Sequence, residues 1–268
     1  MPIAQSARVH PSALVAAEAD VGDDVVVGPF AVLDGDVRVG AGCVLRAGVH
    51  LIGPLTLGRG NQLFSHVVLG EQPQHLQYNG EPTRLEVGDH NVFRENVTVH
   101  RGTAKTGVTR IGQGNFFMAG SHVAHDCRVG NHCILANGAL VGGHCTLEGG
   151  VYLSGNCAVH QFVRIGRLAL LSGTSATTKD IPPFTIVQRI NRVVGVNVVG
   201  MRRAGVPTAH IDAVRRAFNI LYHEDHLLPQ ALDLIEREFS AVPEVIEMTS
   251  FIRASARGIT LQTEREAA

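Results

Sequence analysis

The chain has 268 residues, a formal net charge of −1 and a sequence pI of about 6.9, so it lacks the overall basic field that indicates nucleic-acid binding. No apolar run approaches the roughly 20 residues that cross a bilayer, and the first residues show no export signal. Five cysteines without a Cys-x-x-Cys motif suit a reducing compartment, which predicts a cytoplasmic protein.

Large apolar residues recur at every sixth position through the first two thirds of the chain. Of the 28 positions in this phase from Val9 to Leu171, 25 are large and apolar, and the exceptions are His75, Glu81 and Lys105. Neither a helix of 3.6 residues per turn nor a strand of period two keeps this phase. A strict period of six is the signature of a parallel β-helix, in which three hexads form an 18-residue coil. Such coils stack about 4.8 Å apart.

Two further positions of each hexad support this interpretation. All five cysteines follow the apolar residue by four places, a position otherwise filled by small or β-branched residues. We therefore interpret the cysteines as inward packing residues and not as ligands or nucleophiles. The position three places after the apolar residue collects Gly, Asn, Asp and His, which tolerate the left-handed backbone of a tight turn.

The repeat has two interruptions and one end. Residues 71–86 and 100–110 break the apolar phase and predict loops, and the longer one is a natural functional loop. Residues 181–184 (Ile-Pro-Pro-Phe) predict the end of the solenoid, because successive prolines cannot continue a hydrogen-bonded ladder. Residues 193–200 are interpreted as an apolar connector.

Beyond the connector the apolar period becomes helical. Thr208 is predicted to cap a helix that ends near His223, and Pro229 and Pro243 are predicted to open two more. Residues 259–268 are predicted to be a frayed tail. The fold class is therefore an all-β solenoid plus α, with a parallel β-helix domain over residues 1–186 and a small helical domain over residues 187–268.

Histidines concentrate on one part of the repeat. Because residues 18 apart stack in an 18-residue coil, Asp126 lies under His144 and His125 lies under Gly143. His160 is expected one coil further along the same edge. His125, His144 and His160 thus fall on one edge of three successive coils.

This edge carries the chemistry of a general base. An imidazole base needs a partner that fixes its tautomer, and Asp126 or a backbone carbonyl supplies one to His125. A neighbouring glycine lets a backbone N–H approach a developing oxyanion. Since the cysteines point inward and no serine is placed as a nucleophile, we expect direct attack by a bound acceptor and no covalent acyl-enzyme.

Six short motifs resemble the UDP-N-acetylglucosamine O-acyltransferases, the family that opens lipid A synthesis. They are residues 80–84 (Gly-Glu-Pro-Thr-Arg), 99–103 (Val-His-Arg-Gly-Thr), 124–127 (Ala-His-Asp-Cys), 134–137 (Ile-Leu-Ala-Asn), 158–162 (Ala-Val-His-Gln-Phe) and 195–197 (Gly-Val-Asn). The resemblance covers nearly the whole chain. It implies a left-handed β-helix, a homotrimer with active sites between subunits, and transfer of a 3-hydroxyacyl group from acyl carrier protein to the sugar's 3-position. It implies no metal or other cofactor.

The resemblance also implies roles for individual residues. His125 is the general base, Asp126 its orienting partner, and the Gly143 N–H the oxyanion donor. The implied substrate-binding residues are Gln74, His75, Gln77, His122, His144, His160, Gln161, Gly173, Asn197 and Arg203. Among them, Gly173 occupies the position that gates acyl length.

The chain departs from the family pattern around the sugar phosphate. The usual loop reads Gln-Asp-Leu-Lys, but residues 74–77 here read Gln-His-Leu-Gln, so a carboxylate and an ammonium are both replaced. Near the nucleotide, Val199 replaces a usual Glu and Ala204 replaces the second of two arginines. Loss of the lysine removes a compact phosphate-binding charge. Two acceptors fit this pattern: the usual sugar nucleotide, which the retained histidines favour, or a UDP sugar with a 3-amino group.

Two other functions compete with the transferase. A γ-type carbonic anhydrase is also a left-handed β-helix with three zinc-binding histidines, but it has no use for the helical domain. A non-catalytic relative would bind sugar nucleotide or acyl carrier protein without turnover, and intact His125 and Asp126 argue against it.

Overall fold

The structure is a computed structural model that describes residues 3–261. Within them, short strands build a solenoid that ends in a small group of helices. The strands are β1 (Arg8–Val9), β2 (Leu14–Val15), β3 (Asp20–Val21), β4 (Val26–Val27), β5 (Val32–Asp34), β6 (Val37–Val39), β7 (Val44–Leu45), β8 (His50–Ile52), β9 (Leu55–Leu57), β10 (Gln62–Leu63), β11 (Val68–Glu71), β12 (Arg84–Val87), β13 (Val92–Phe93), β14 (Thr98–His100), β15 (Val108–Ile111), β16 (Phe116–Phe117), β17 (His122–Val123), β18 (Arg128–Val129), β19 (Ile134–Leu135), β20 (Leu140–Val141), β21 (Thr146–Leu147), β22 (Tyr152–Leu153), β23 (Ala158–Val159), β24 (Arg164–Ile165), β25 (Leu170–Leu171), β26 (Ala176–Thr177), β27 (Thr185–Gln188) and β28 (Arg192–Val196). The helices are α1 (Val198–Arg203), α2 (Thr208–His223), α3 (Leu228–Glu238) and α4 (Pro243–Arg253).

Three sheets run along the solenoid and form its three faces. The first sheet takes every third strand from β1 to β25 and then β27 and β28, the second runs from β2 to β26, and the third from β3 to β24. Arg8 pairs in parallel with Val26, and Phe116 with Ile134, each one 18-residue coil later. The parallel β-solenoid predicted from the hexads is thus confirmed.

The two predicted loops leave the solenoid at the same corner. Each connects a strand of the second sheet to one of the third, β11 to β12 and β14 to β15. Val68 pairs with Thr98, 30 residues later, and Thr98 with His122, 24 residues later. The two interruptions therefore lengthen the coil by two hexads and by one hexad. This is why the apolar phase resumes unchanged after both.

The interior of the solenoid is apolar, and its corners are left-handed. All five cysteines are buried and unpaired, as predicted. The predicted turn position has positive φ at Asp126, His132 and Asn156, and also at the bulkier Phe162 and Leu168. Corner residues with short polar side chains adopt this conformation at low cost. The hexad thus specifies both what faces inward and where the chain turns.

The predicted end of the solenoid is wrong by one strand. After residues 181–184, β27 adds in parallel to β25, with Leu170 opposite Ile186. Pro182 and Pro183 are buried in the preceding corner, where the ladder does not need their missing N–H groups. β28 then pairs antiparallel with β27. The predicted connector over residues 193–200 is therefore mostly this strand and the start of α1.

Three helices lie close to their predicted positions, but one detail of capping is wrong. α2 begins at Thr208, yet its N-cap is Pro207 and no side chain caps it. The tail prediction is also wrong for Ile259, which bridges to Asp180 and is buried. Residues 262–268 lie outside the described part. No helix in residues 3–261 has the length and apolar character needed to cross a membrane.

Candidate active site

The candidate site lies at the corner where the second sheet passes into the third. Residues 124–127, 142–145 and 160–163 form this corner in three successive coils. The His144 N–H donates to the His125 carbonyl at 2.9 Å, and the Phe162 N–H donates to the Gly143 carbonyl at 2.9 Å. Backbone stacking therefore holds the corner side chains in a fixed vertical order, as the 18-residue arithmetic predicts.

His125 and Asp126 form a buried hydrogen-bonded pair. The His125 Nδ1 lies 2.7 Å from an Asp126 carboxylate oxygen. Asp126 also accepts from the Thr103 N–H at 3.0 Å, from the Thr103 hydroxyl at 2.8 Å and from the Thr106 hydroxyl. Burial raises the pKa of the Asp126 carboxyl, but the hydrogen bonds from His125, Thr106 and Thr103 outweigh it and lower that pKa overall. Asp126 is therefore an ionised anchor that selects the Nδ1–H tautomer of His125.

The other ring nitrogen of His125 faces Gly143. A Cβ atom on Gly143 would stand 2.8 Å from the His125 Nε2 and 2.7 Å from its Cε1, so only glycine allows this approach. The Gly143 N–H has no hydrogen-bond acceptor among residues 3–261. A basic nitrogen and an available N–H therefore lie side by side, which is the arrangement that acyl transfer requires.

His144 packs beside this pair. Its ring meets His125 edge-on with centroids 5.1 Å apart, and stacks on Phe162 at 4.4 Å. Its Nε2 lies 3.6 Å from the Asp126 carboxylate. Burial lowers the pKa of the His144 imidazole, although Asp126 acts in the opposite direction. His144 is thus a neutral wall of the site near pH 7.

The two loops enclose a cavity of about 370 Å³ above this corner. Its lining residues are His75, Gln77, Tyr78, Glu81, Thr103, Ala104, Lys105, His144 and Phe162. The His75 ring meets the His125 ring edge-on at 5.3 Å. Arg101 ties the longer loop down by donating to the Tyr78 hydroxyl at 3.2 Å and to the Gly53 carbonyl at 3.0 Å. Gln74, beside His75, is exposed.

His122 stands near the cluster with a partner that the sequence did not single out. Its Nδ1 lies 2.7 Å from the Thr98 hydroxyl, and its ring meets His100 edge-on at 4.7 Å. His100 is buried, and its Nδ1 has no partner among the described residues. Burial and then the neighbouring His122 lower the pKa of His100 to about 4. The family motif at residues 99–103 contains His100 and was the signal for it.

His160 lies one coil higher, where the end of the chain returns to the solenoid. Its Nδ1 is 3.1 Å from the Gln161 carbonyl and 3.4 Å from a guanidinium nitrogen of Arg257. Gln161 and Gly173 are exposed on the single chain. A Cβ on Gly173 would meet only the Gly155 carbonyl, at 3.4 Å, so space remains open there.

The two predicted residues beyond the solenoid do not join the histidines within one chain. Asn197 caps α1 by accepting from the Gly200 N–H at 2.9 Å, and it donates to the Leu168 carbonyl at 2.8 Å. Arg203 is exposed in the last turn of α1. Asn197 is therefore a local structural residue in this chain, whatever it contacts in an assembly.

Three side chains of the corner offer ligand atoms close enough to share a metal ion. These atoms, from His125, Asp126 and His144, lie within 4.8 Å of one another. An ion bound at the His125 Nδ1 would have to replace the hydrogen bond to Asp126. The set is thus already satisfied as a hydrogen-bonded base and anchor.

Comparison with known proteins assigns the chain to a family. A family profile described as "Udp N-acetylglucosamine O-acyltransferase; Domain 2" matches residues 180–260, and one for bacterial transferase hexapeptide repeats matches residues 18–53 and 109–143. A relative named acyl-[acyl-carrier-protein]--UDP-N-acetylglucosamine O-acyltransferase from Halorhodospira halophila is 48% identical over 254 residues, which cover 94% of this chain and 98% of the relative. The chain belongs to the UDP-N-acetylglucosamine O-acyltransferase family. A relative of the same name from Anaeromyxobacter is 46% identical over 78% of this chain and 82% of its own.

Solved structures of UDP-N-acetylglucosamine O-acyltransferase family members share the whole architecture. The enzyme from Bacteroides fragilis matches with a TM-score of 0.89 and 34% identity, covering 94% of this chain and 99% of its own. The enzyme from Campylobacter jejuni matches with a TM-score of 0.89 and 33% identity, covering 95% and 99%. Membership of this family sets aside the carbonic anhydrase interpretation.

Proposed function

We propose that this protein transfers a 3-hydroxyacyl chain from acyl carrier protein to the 3-hydroxyl of UDP-N-acetylglucosamine, the first step of lipid A synthesis. The observation that carries the proposal is the buried His125–Asp126 pair beside Gly143, in a chain 48% identical to a relative of that name. The reaction is placed in the cytoplasm, in keeping with five unpaired thiols.

The mechanism follows from the two nitrogens of His125. Asp126 holds Nδ1 as a donor, so Nε2 is free to take the proton from the acceptor hydroxyl as its oxygen attacks the thioester carbonyl. The Gly143 N–H donates to the oxyanion that forms. When the carbon–sulfur bond breaks, the imidazolium returns its proton to the leaving thiolate. No cofactor enters this sequence.

The buried thiols support direct attack over a covalent acyl-enzyme. Burial raises the pKa of the Cys133 thiol to about 11 and that of the Cys157 thiol to about 12. Burial likewise raises the pKa of Cys127, the residue after Asp126. A neutral, inward thiol is a poor nucleophile. The acceptor oxygen is therefore the nucleophile.

Two of the three solenoid faces support a homotrimer. The outward positions of the third sheet are mostly charged or polar: Asp20, Arg38, Thr56, Glu86, Arg110, Arg128, Thr146 and Arg164. The outward positions of the other two sheets are mostly apolar, and Leu14 and Leu140 of the second remain 67% and 48% exposed. When two different faces of one chain bury each other and the rotation closes, a ring results.

Such a ring also completes the site. The histidine corner borders the second sheet, so a neighbouring subunit packed on that face would line the open side of the cavity. Gln161, Gly173, Asn197 and Arg203, which lie apart from His125 in one chain, would then serve sites shared between subunits. His122, His144 and His160 line the corner for the acceptor or the donor arm, together with Gln74, His75 and Gln77.

One experiment tests both the reaction and the acceptor. Purified enzyme is given a mixture of acyl carrier proteins that carry 3-hydroxyacyl chains of different lengths, with UDP-N-acetylglucosamine or its 3-amino analogue. Mass spectrometry of the products identifies the chain and the bond. We expect an ester on the ordinary acceptor. A large preference for the 3-amino analogue would overturn the O-acyl assignment, and binding without product would favour a non-catalytic relative.

Metal content tests the remaining chemistry. The hydrogen bonding of His125 and Asp126 leaves no role for an ion in the mechanism. We expect elemental analysis of active enzyme to show no stoichiometric metal and chelator to leave its rate unchanged. Stoichiometric zinc, with activity lost to chelator and restored by zinc, would contradict the mechanism.

A further inference from the structure

Lys105 places a positive charge in the cavity beside the catalytic corner. The chain contains two lysines, Lys105 and Lys179. Of the described residues that line the cavity, Lys105 is the one with a fixed positive charge. Gln77, where the family pattern has lysine, lines the same cavity from the other loop. The charge missing at position 77 is therefore available from across the cavity.

The backbone at Lys105 is tied to the catalytic corner. Thr103 and Thr106, on either side of it, both donate hydrogen bonds to Asp126. The Lys105 N–H itself donates to the Thr103 hydroxyl at 3.3 Å. These bonds fix the root of the side chain relative to His125, which Asp126 also holds. Lys105 is thus attached to the same anchor as the general base.

The ammonium group of Lys105 has a weak partner in this structure. Its Nζ lies 4.6 Å above the centre of the Phe162 ring. Among residues 3–261 no carboxylate oxygen lies within 4 Å of it. The cavity's carboxylate, Glu81, instead accepts from the Asn79 N–H at 3.0 Å. An exposed cation–π contact is easily exchanged for a phosphate oxygen, which is a stronger partner.

The ammonium also faces the substrate side of His144. It is one of the charges that lower the pKa of His144, after the larger effect of burial. Phe162, on which the ammonium rests, stacks on His144 from the next coil. The charge therefore belongs to the site and not to outer solvent.

We propose that Lys105 binds a phosphate oxygen of the nucleotide-sugar acceptor and takes the place of the lysine that the family pattern has at position 77. This assignment rests on the proposed function. A lysine ammonium on a flexible stem reaches an anion from different roots, which makes relocation between facing loops feasible. The consequence is that the ordinary acceptor retains its phosphate contact despite Gln77.

Chemical footprinting tests this directly because the chain has two lysines. Reductive methylation is followed at Lys105 and Lys179 by mass spectrometry, with Lys179, which donates to the Arg257 carbonyl at 2.9 Å, as the internal control. We expect UDP-N-acetylglucosamine and UDP to protect Lys105, and uridine or N-acetylglucosamine not to. Equal labelling with and without saturating UDP-N-acetylglucosamine would overturn the proposal. Protection only by acyl carrier protein would assign Lys105 to the donor's phosphate and also overturn it.

Kinetics supply an independent test. Lys105→Gln should raise the KM for UDP-N-acetylglucosamine roughly tenfold, the order expected for one charge-assisted contact, with a smaller change in kcat. Its KM should also depend less on salt. Gln77→Lys in the Lys105→Gln background should restore the KM. Arg215→Gln, which removes an exposed cation of α2, is the charge-matched control and should leave the KM unchanged.

The outcomes separate this proposal from the proposed function. If the wild-type enzyme transfers no acyl chain to UDP-N-acetylglucosamine, the proposed function fails. If it does and Lys105→Gln keeps the wild-type KM for that acceptor, the assignment of Lys105 alone is wrong. A higher KM for acyl carrier protein with an unchanged acceptor KM would likewise contradict it.

Discussion

A methyl group on Gly143 should disable the site without unfolding the protein. In Gly143→Ala the new Cβ would lie 2.7 Å from the His125 Cε1 and 2.8 Å from its Nε2. The ring must withdraw by about 0.7 Å to reach ordinary contact at 3.4 Å. His125 is buried and bonded to Asp126 at 2.7 Å, so this movement misaligns the base. Misplacement of this size costs about 10²-fold in rate.

The assay is kcat for acyl transfer, with thermal unfolding as the measure of stability. We expect kcat to fall about 10²-fold, while the unfolding temperature changes little because the φ of Gly143 is not in the left-handed region. Gly149→Ala is the matched control: it occupies the same hexad position, and its Cβ would meet only the Asn131 carbonyl, at 3.5 Å. A Gly143→Ala enzyme within twofold of wild type would refute the placement of His125 as the base.

Four other changes test the remaining assignments. His125→Ala should lower kcat by about 10² to 10⁴ with the assembly intact, since a general base typically supplies that much; activity within a few-fold of wild type would exclude it as the base. Gly173→Met should shift the preference among acyl carrier proteins to shorter chains, because each excluded methylene forfeits about 0.8 kcal/mol of burial; an unchanged ranking would place the tail elsewhere. Gln77→Lys alone should lower the KM for UDP-N-acetylglucosamine in steady-state kinetics, and no improvement would count against that acceptor. The pKa of His100 is lowered from 6.5 to about 4 in the folded chain, so unfolding takes up a proton between those values and the free energy of unfolding falls as pH falls through that window. His100→Gln should remove about 1.4 kcal/mol per pH unit of this slope in denaturant titrations, and an identical slope would contradict the burial argument.

The hexads alone were sufficient to predict the solenoid and its corners. Because a strand position repeats every six residues and a coil every 18, the sequence placed Asp126 under His144 before any coordinates were considered. The structure has Asp126 and His144 at the same corner of adjacent coils, each with positive φ. The inward position of the cysteines followed from the same arithmetic. These features depend on the local period, which the sequence states directly.

The same local reasoning was wrong where a longer-range contact decided the outcome. Two prolines predicted the end of the ladder, yet β27 adds to β25 because the prolines occupy the corner and leave the next strand free to pair. Ile259 was predicted to fray, yet it bridges to Asp180. In both cases the partner is distant in sequence. No period of the chain encodes such a partner.

The sequence by itself determined the scaffold, the family motifs and the stacking of His125 beneath Gly143. Only the tertiary structure showed that Thr103 and Thr106 hold Asp126, and that Lys105 shares a cavity with Gln77. The physical reason is that a repeat fixes side-chain direction through regular backbone hydrogen bonds, whereas the two loops take their positions from individual contacts with the corner they cover. The base is placed by the repeat, and the groups that orient it and bind its substrate are placed by the loops.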